Sequence, residues 1–177
     1  AGYSNVIQYI TIASAGNATD FGDLTVARNP AGCGSSTRGV FSGGYTGLSY
    51  SNVIDYITIA SAGNATDFGD ITPAAVAYSG SSSSATRGVI GAGTNNSDSY
   101  VSNIVYITIA STGNSTNFGT LSSDRSFVSS CASPTRSLFF GGFEAARINI
   151  IEYVTIATAG NAVDFGDTLA MVAQTAA

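Results

Sequence analysis

Residues 52–70, NVIDYITIASAGNATDFGD, repeat residues 5–23 with a single change, Asp55 in place of Gln8. Weaker copies stand at 103–120 (NIVYITIASTGNSTNFGT) and 149–167 (NIIEYVTIATAGNAVDFGD). The anchors Tyr9, Tyr56, Tyr106 and Tyr153 are spaced by 47, 50 and 47 residues. A second anchor, an Arg leading into apolar residues and then glycine, recurs as RGVFSGG (38–44), RGVIGAG (87–93) and RSLFFGG (136–142). A chain that repeats one phrase four times folds as an array, because one copy cannot bury its own apolar faces and a neighbour of the same shape can.

The chemistry of each unit is that of short strands. VFSGG and its equivalents are β-branched or aromatic and end in glycine. NVIDYITIAS is rich in Val, Ile, Tyr and Thr, with Ile54, Tyr56 and Thr58 on one face and Val53, Ile57 and Ile59 on the other. Both faces are largely apolar, so both need cover. SAGNATDFGD then supplies a Gly-Asn turn and a short strand around DFG. Gly/Ser/Ala-rich stretches (32–37, 79–86 and 129–135) precede each Arg. Their low side-chain volume suits a strand crowded near a central axis, with a flexible linker as the competing reading. A period near 50 matches a propeller blade, and four-stranded antiparallel sheets that need cover on both faces satisfy one another by stacking radially. The expected fold is all-β, a single repeat domain over 1–177 with units 1–37 (partial), 38–86, 87–135 and 136–177.

These residues resemble the kelch repeat family, whose blades carry a di-glycine strand end, a variable loop, a Tyr strand and an aromatic after a turn. The matching positions are Gly43-Gly44 and Gly141-Gly142, then Tyr56 or Tyr153, then Phe21, Phe68, Phe118 and Phe165 where the family usually has Trp. Gly91-Ala92-Gly93 breaks the di-glycine, Trp is absent, and Asp55 and Glu152 precede the Tyr where the family's acid follows it. The resemblance implies a kelch-like β-propeller of about three and a half blades, with TLAMVAQTAA as a source of one more inner strand. Three arrangements accommodate that count: strand exchange in a very small ring, several chains completing a larger one, or a window on a longer polypeptide. The last two are preferred to a self-contained monomer. The phrase YITIAS-GNATDFGDL is also similar to repeats of structural and tail-fibre-type proteins of marine and cyanobacterial phages.

Composition removes several kinds of chemistry. Charged residues make up 10% of the chain, against about 25% in an ordinary domain. A formal charge of −5, with no Lys, offers nothing to nucleic acid or to an anionic membrane, and no apolar run approaches the roughly 20 residues of a membrane-spanning helix. Without His there is no Ser-His-Asp triad and no imidazole to hold the copper of kelch-type oxidases. Without Lys there is no Schiff-base chemistry. Cys33 and Cys131 occupy equivalent repeat positions and read as free thiols, with a disulfide as the minor alternative; their separation excludes a Cys-rich zinc site.

Asp20/Asp23, Asp67/Asp70 and Asp164/Asp167 share one offset. They suit either a calcium site or turn capping and pairing with Arg38, Arg87 and Arg136. Asn117 and Thr120 replace them in the third unit, which favours the structural role. Paired acids for glycoside hydrolysis must face one cleft, whereas acids copied once per blade are spread round a ring. Glu144, Glu152 and Asp98 stand alone. Asn17, Asn64, Asn114 and Asn95 begin glycosylation-type triplets, read as copied turns. No cofactor is expected.

The loops between the glycine strand and the Tyr strand vary: YTGLSYS (45–51), TNNSDSYVS (94–102) and FEAARI (143–148). In a propeller these fall on one face and present Tyr45, Tyr50, Asn95, Asn96, Tyr100, Phe143 and Arg147, residue types common at recognition surfaces; unconstrained drift explains the same variation. The expectation is a non-enzymatic structural or attachment module of a phage virion. Its partners would be further copies of itself, other virion proteins or a host surface glycan, with no nucleic acid and no membrane insertion. The alternative is a secreted bacterial adhesive or filament-forming protein, and a carbohydrate-active enzyme comes third.

Overall fold

Runs of Val, Ile, Thr and Tyr bounded by Gly and Asn pair with their neighbours in the chain, and every pairing is antiparallel. The computed structural model describes residues 2–74 and 76–173; among these, fifteen strands form four sheets and there is no helix. The first sheet has two strands, β1 (Val6–Tyr9) and β2 (Thr19–Asp23). The second is the meander β3 (Asn29–Gly34), β4 (Arg38–Tyr45), β5 (Val53–Thr58) and β6 (Thr66–Asp70). The third repeats it as β7 (Val76–Ala77) and β8 (Gly80–Ser83), which both pair with β9 (Arg87–Asn95), then β10 (Tyr100–Thr108) and β11 (Thr116–Arg125). The fourth is β12 (Ser129–Ala132), β13 (Arg136–Phe140), β14 (Ile148–Thr155) and β15 (Val163–Val172).

The Gly/Ser/Ala stretches begin as strands β3, β8 and β12, then turn into the Arg strand. The turn has one chemistry throughout: the hydroxyls of Ser35, Ser84 and Ser133 accept from the N–H of Arg38, Arg87 and Arg136 at 3.2, 3.2 and 3.1 Å. Small residues are required here because β8 lies against both β3 and β12. A Cβ on Gly80 would stand 3.2 Å from Phe139 and Ser130. The Ser83 hydroxyl bonds the Gly34 carbonyl at 2.6 Å, and the Ser82 and Ser137 hydroxyls meet at 2.6 Å.

The sheets then pack face to face through apolar clusters. Val40, Ile54 and Phe68 meet Val105, Ile107 and Ile109 of the next sheet; Val89, Ile104 and Phe118 meet Phe139, Val154 and Ile156. Ile7, Phe21 and Leu24 of the two-stranded sheet lie against Phe41, Ile57 and Ala65. Removing a buried aliphatic side chain from water contributes about 1.5–3 kcal/mol, so these seams hold the array together.

Each seam is also locked by the repeated turn. The N–H of Gly63 and Ala65 donate to the carbonyls of Phe21 and Asp23 (2.7 and 2.8 Å), and those of Gly113 and Ser115 donate to Phe68 and Asp70 (2.7 and 2.8 Å). Ala162 donates likewise to Thr120 (2.8 Å). In return the N–H of Asp23, Asp70 and Thr120 donate to the side-chain carbonyls of Asn64, Asn114 and Asn161 at 3.0–3.1 Å. The approach leaves no room for a side chain: a Cβ on Gly22, Gly69 or Gly119 would come within 2.3–2.6 Å of the next unit's turn.

The array is open. Phe21, Phe68 and Phe118 are at most 8% exposed, while Phe165 at the same position of the last sheet is 55% exposed; Ile109 and Ile156 are 1–2% exposed, while Ile12 of the first is 96% exposed. No closed ring forms among the described residues. The extra inner strand expected from TLAMVAQTAA is corrected in part: Thr168–Val172 continues β15, whose Val172 pairs with Ile148 of β14, as Arg125 of β11 pairs with Val101. Residues 174–177 lie outside the described residues.

Candidate functional site

The three variable loops adjoin one another. Tyr45 and Tyr50 close their hairpin as a bridged pair, with ring centroids 5.2 Å apart. The Tyr50 hydroxyl donates to Asp98 of the next loop at 2.7 Å. That bond, followed by burial, pushes the Tyr50 phenol up to about 12. Tyr100 lies edge-on to Phe143 at 6.1 Å, and Phe143 bridges to Arg147. Asn95 turns inward, its side-chain carbonyl accepting from the N–H of Ser97 and Ser99 at 2.9 and 3.2 Å, so it shapes the loop. Asn96 and Arg147 are exposed.

The loop rings continue into aromatics that sequence patterning alone does not single out. Tyr3 meets Tyr45 edge-on at 5.7 Å, Tyr50 meets Tyr78 at 6.5 Å, and Tyr78 stacks on Phe127 at 4.6 Å and 26°. The strip Tyr3–Tyr45–Tyr50–Tyr78–Phe127 thus crosses three sheets. It ends at a cleft of about 210 Å³ lined by Asn29, Pro30, Ala31, Tyr78, Ser79, Phe127 and Val128. Strand register gives the lining its logic. Ala31, Gly80 and Ser129 pair with equivalent positions of their Arg strands, so Asn29, Tyr78 and Phe127, two residues earlier in each, are the same place in three units. The cleft sits where the inner strands converge.

Tyr78 and Phe127 hold φ of 59° and 55°, a left-handed conformation that costs a bulky residue about 1–3 kcal/mol. Tyr78 interrupts the inner strand between β7 and β8, and the Phe127 N–H donates to its carbonyl at 2.9 Å. Burial, then the neighbouring phenols of Tyr3 and Tyr45, raises the Tyr78 pKa. Asn29 fixes the third wall, its side-chain carbonyl accepting from the Tyr45 N–H at 2.8 Å.

Several expected pairings are replaced. Arg38, Arg87 and Arg136 do not pair with the DFGD carboxylates; each lies over its unit's Tyr ring at 4.2–4.4 Å, and that Tyr stands edge-on to its unit's Phe. Arg38 and Arg87 donate to the carbonyls of Ile109 and Ile156, both at 2.8 Å, because the next unit's strand end is closer than any carboxylate. The ion pairs among the described residues are instead Arg28–Asp55 and Arg125–Glu152, fully buried across the seams. Glu152 and Asp98 are therefore partnered. No group of three His, Cys, Asp or Glu side chains suited to a metal ion occurs among the described residues. Cys33 and Cys131 are free, and burial raises the Cys33 thiol. The Asn64 and Asn114 triplets act as the interlocking turns described above.

Comparison with protein-family models finds no match, and none is found among curated proteins.

Proposed function

We propose that this chain is a non-enzymatic attachment module, an open kelch-like propeller that holds a surface glycan on its loop face. The observation that carries the reading is the stacked Tyr78–Phe127 pair, kept at positive φ beside a cleft. Strain of that kind concentrates at ligand clamps. A row of fixed rings offers large, rigid contact area at low entropic cost, and the apolar C–H faces of a sugar ring lie flat on such a surface. Asn29 at the cleft and Asn96 and Arg147 on the adjoining loops supply polar groups for hydroxyls. The cleft is below the roughly 300–1,000 Å³ of drug-sized pockets, a size for one sugar ring with the rest of an oligosaccharide along the strip. On this reading single-site affinity is weak, and the array acts by presenting several chains together. The similarity of the repeat phrase to those of phage structural proteins is what supports a virion, in a tail fibre or similar surface structure, as the module's setting; a secreted bacterial adhesive would use the same face.

The test is binding of the purified chain to an array of bacterial surface polysaccharides and to intact cells. Tyr78→Ala and Phe127→Ala are expected to lower binding at least tenfold, and Asn96→Ala or Arg147→Ala less than that. Absence of binding to every polysaccharide and cell, or full binding by both aromatic variants, would refute the proposal.

A further inference from the structure

The two end sheets expose complementary halves of a contact whose Asn turn recurs at three seams inside the molecule and whose Arg–carbonyl bond recurs at two. On the last sheet, Phe165 is 55% exposed, and a Cβ on Gly166 would meet nothing within 4 Å. Arg136 lies over Tyr153, as Arg38 and Arg87 lie over theirs, but donates to no carbonyl of a following unit among the described residues. The Phe165 and Asp167 carbonyls and the Asp167 N–H likewise lack the turn that engages Phe21/Asp23 and Phe68/Asp70. On the first sheet the missing parts are present and unused. Ile10 and Ile12 are 62% and 96% exposed, and the turn Gly16-Asn17-Ala18 is exposed with nothing near Gly16.

We propose that a second copy of this chain docks head-to-tail, its Gly16-Asn17-Ala18 turn seated on the Phe165–Asp167 edge of the first. The Asn17 side-chain carbonyl takes the Asp167 N–H, as Asn64 takes that of Asp23. The Gly16 and Ala18 N–H donate to the Phe165 and Asp167 carbonyls, as Gly63 and Ala65 donate to Phe21 and Asp23. Arg136 donates to the Ile12 carbonyl, as Arg38 donates to Ile109, and Ile12 fills the place against Phe165 that Ile109 fills against Phe68. The occupant is a second copy because the turn sequence AGNA of residues 15–18 is identical to that of 62–65, which already makes this contact. The two surfaces differ, so the contact is heterologous and propagates as a ring or a filament. It is independent of the glycan reading, since the aromatic strip takes no part in it.

The experiment is sedimentation velocity of the full chain over a wide concentration range, with Phe165→Arg and Ile12→Arg alone and mixed. Both positions are exposed, so both variants fold, checked by an unchanged circular dichroism spectrum. Wild type is expected to associate with concentration. Each variant should weaken that association at least tenfold, and the equimolar mixture should form a dimer, because each variant keeps the end the other has lost. A wild type that stays monomeric throughout, variants that associate like wild type, or a mixture that stays monomeric would each overturn the proposal.

Discussion

The seam between the second and third sheets does the same work as the two flanking seams with different chemistry. In the flanking seams a carboxylate from the Tyr strand is buried and takes an Arg from the connection that crosses the seam. Asp55 accepts from Arg28 (2.9 Å) and from the Thr25 N–H and hydroxyl (3.2 and 2.7 Å); Glu152 accepts from Arg125 and the Ser122 N–H (2.9 Å). In the middle seam Val105 replaces the acid, and the connection is Ile71, Thr72, Pro73, Ala74 and Val76 around a cavity of about 40 Å³. The amide that would have met the carboxylate, that of Thr72, turns to the Ser115 hydroxyl at 2.9 Å, and Ser115 stands where the flanking units carry Ala65 and Ala162. Three changes made together leave no donor orphaned. The lesson is that the fold requires a satisfied amide at this place, and an ion pair is one of two ways to provide it.

The flanking seams also differ from each other. Arg28 is fully used: its Nε donates to the Gly43 carbonyl at 2.7 Å, and Nη1 reaches both Asp55 and the Val26 carbonyl. Among the described residues Arg125 leaves Nε and Nη1 without a partner. Asp55→Ala therefore strands a buried guanidinium, with an expected loss of about 3–5 kcal/mol in urea unfolding. The middle seam predicts the rescue: Arg28→Met combined with Asp55→Val and Ala65→Ser should recover most of that loss, because the new hydroxyl takes the Thr25 amide as Ser115 takes that of Thr72, and an apolar pair of similar volume replaces a buried ion pair nearly without cost. Ser115→Ala leaves the Thr72 amide unpaired and should cost about 1–3 kcal/mol; the same residue at positions 65 and 162 is native. The smallest effect is expected at Arg136, where removal of an exposed cation–π contact costs about 0.5–1 kcal/mol. Arg38→Ala should cost more, since it also gives up the bond to Ile109.

Much of the array is legible in the sequence because repetition and strand chemistry agree. Periodic Val, Ile and Tyr fix the Tyr strands, and small residues mark the inner strands. The broken di-glycine is a change of residue without a change of shape: Ala92 and Gly93 hold φ of 61° and 125°, as Gly43 and Gly44 hold 59° and 110°. What sequence patterning misses lies where the units differ. Arg28 and Arg125 sit in the connections, which the repeated phrase does not include, so nothing local pairs them with acids 27 residues later. Asp55 interrupts an otherwise apolar face, a signal visible in NVIDYITIAS that a buried partner was required. Tyr78 and Phe127 are legible as equivalents of Asn29, each standing nine residues before the Arg of its unit; what the spacing does not show is that the two rings stack, because the remaining unit carries Asn at this place and no aromatic pattern forms.

The array holds together only because its sheets keep one another dry, and Phe118 and Phe165 test that on one side chain in two places. Both pack edge-on against their own Tyr at 6.0 Å, but only Phe118 is covered by a following sheet. Measured by urea unfolding at concentrations where the chain is monomeric, Phe118→Ala is expected to lose about 3–5 kcal/mol and Phe165→Ala less than about 1 kcal/mol. Equal losses at the two positions would contradict it.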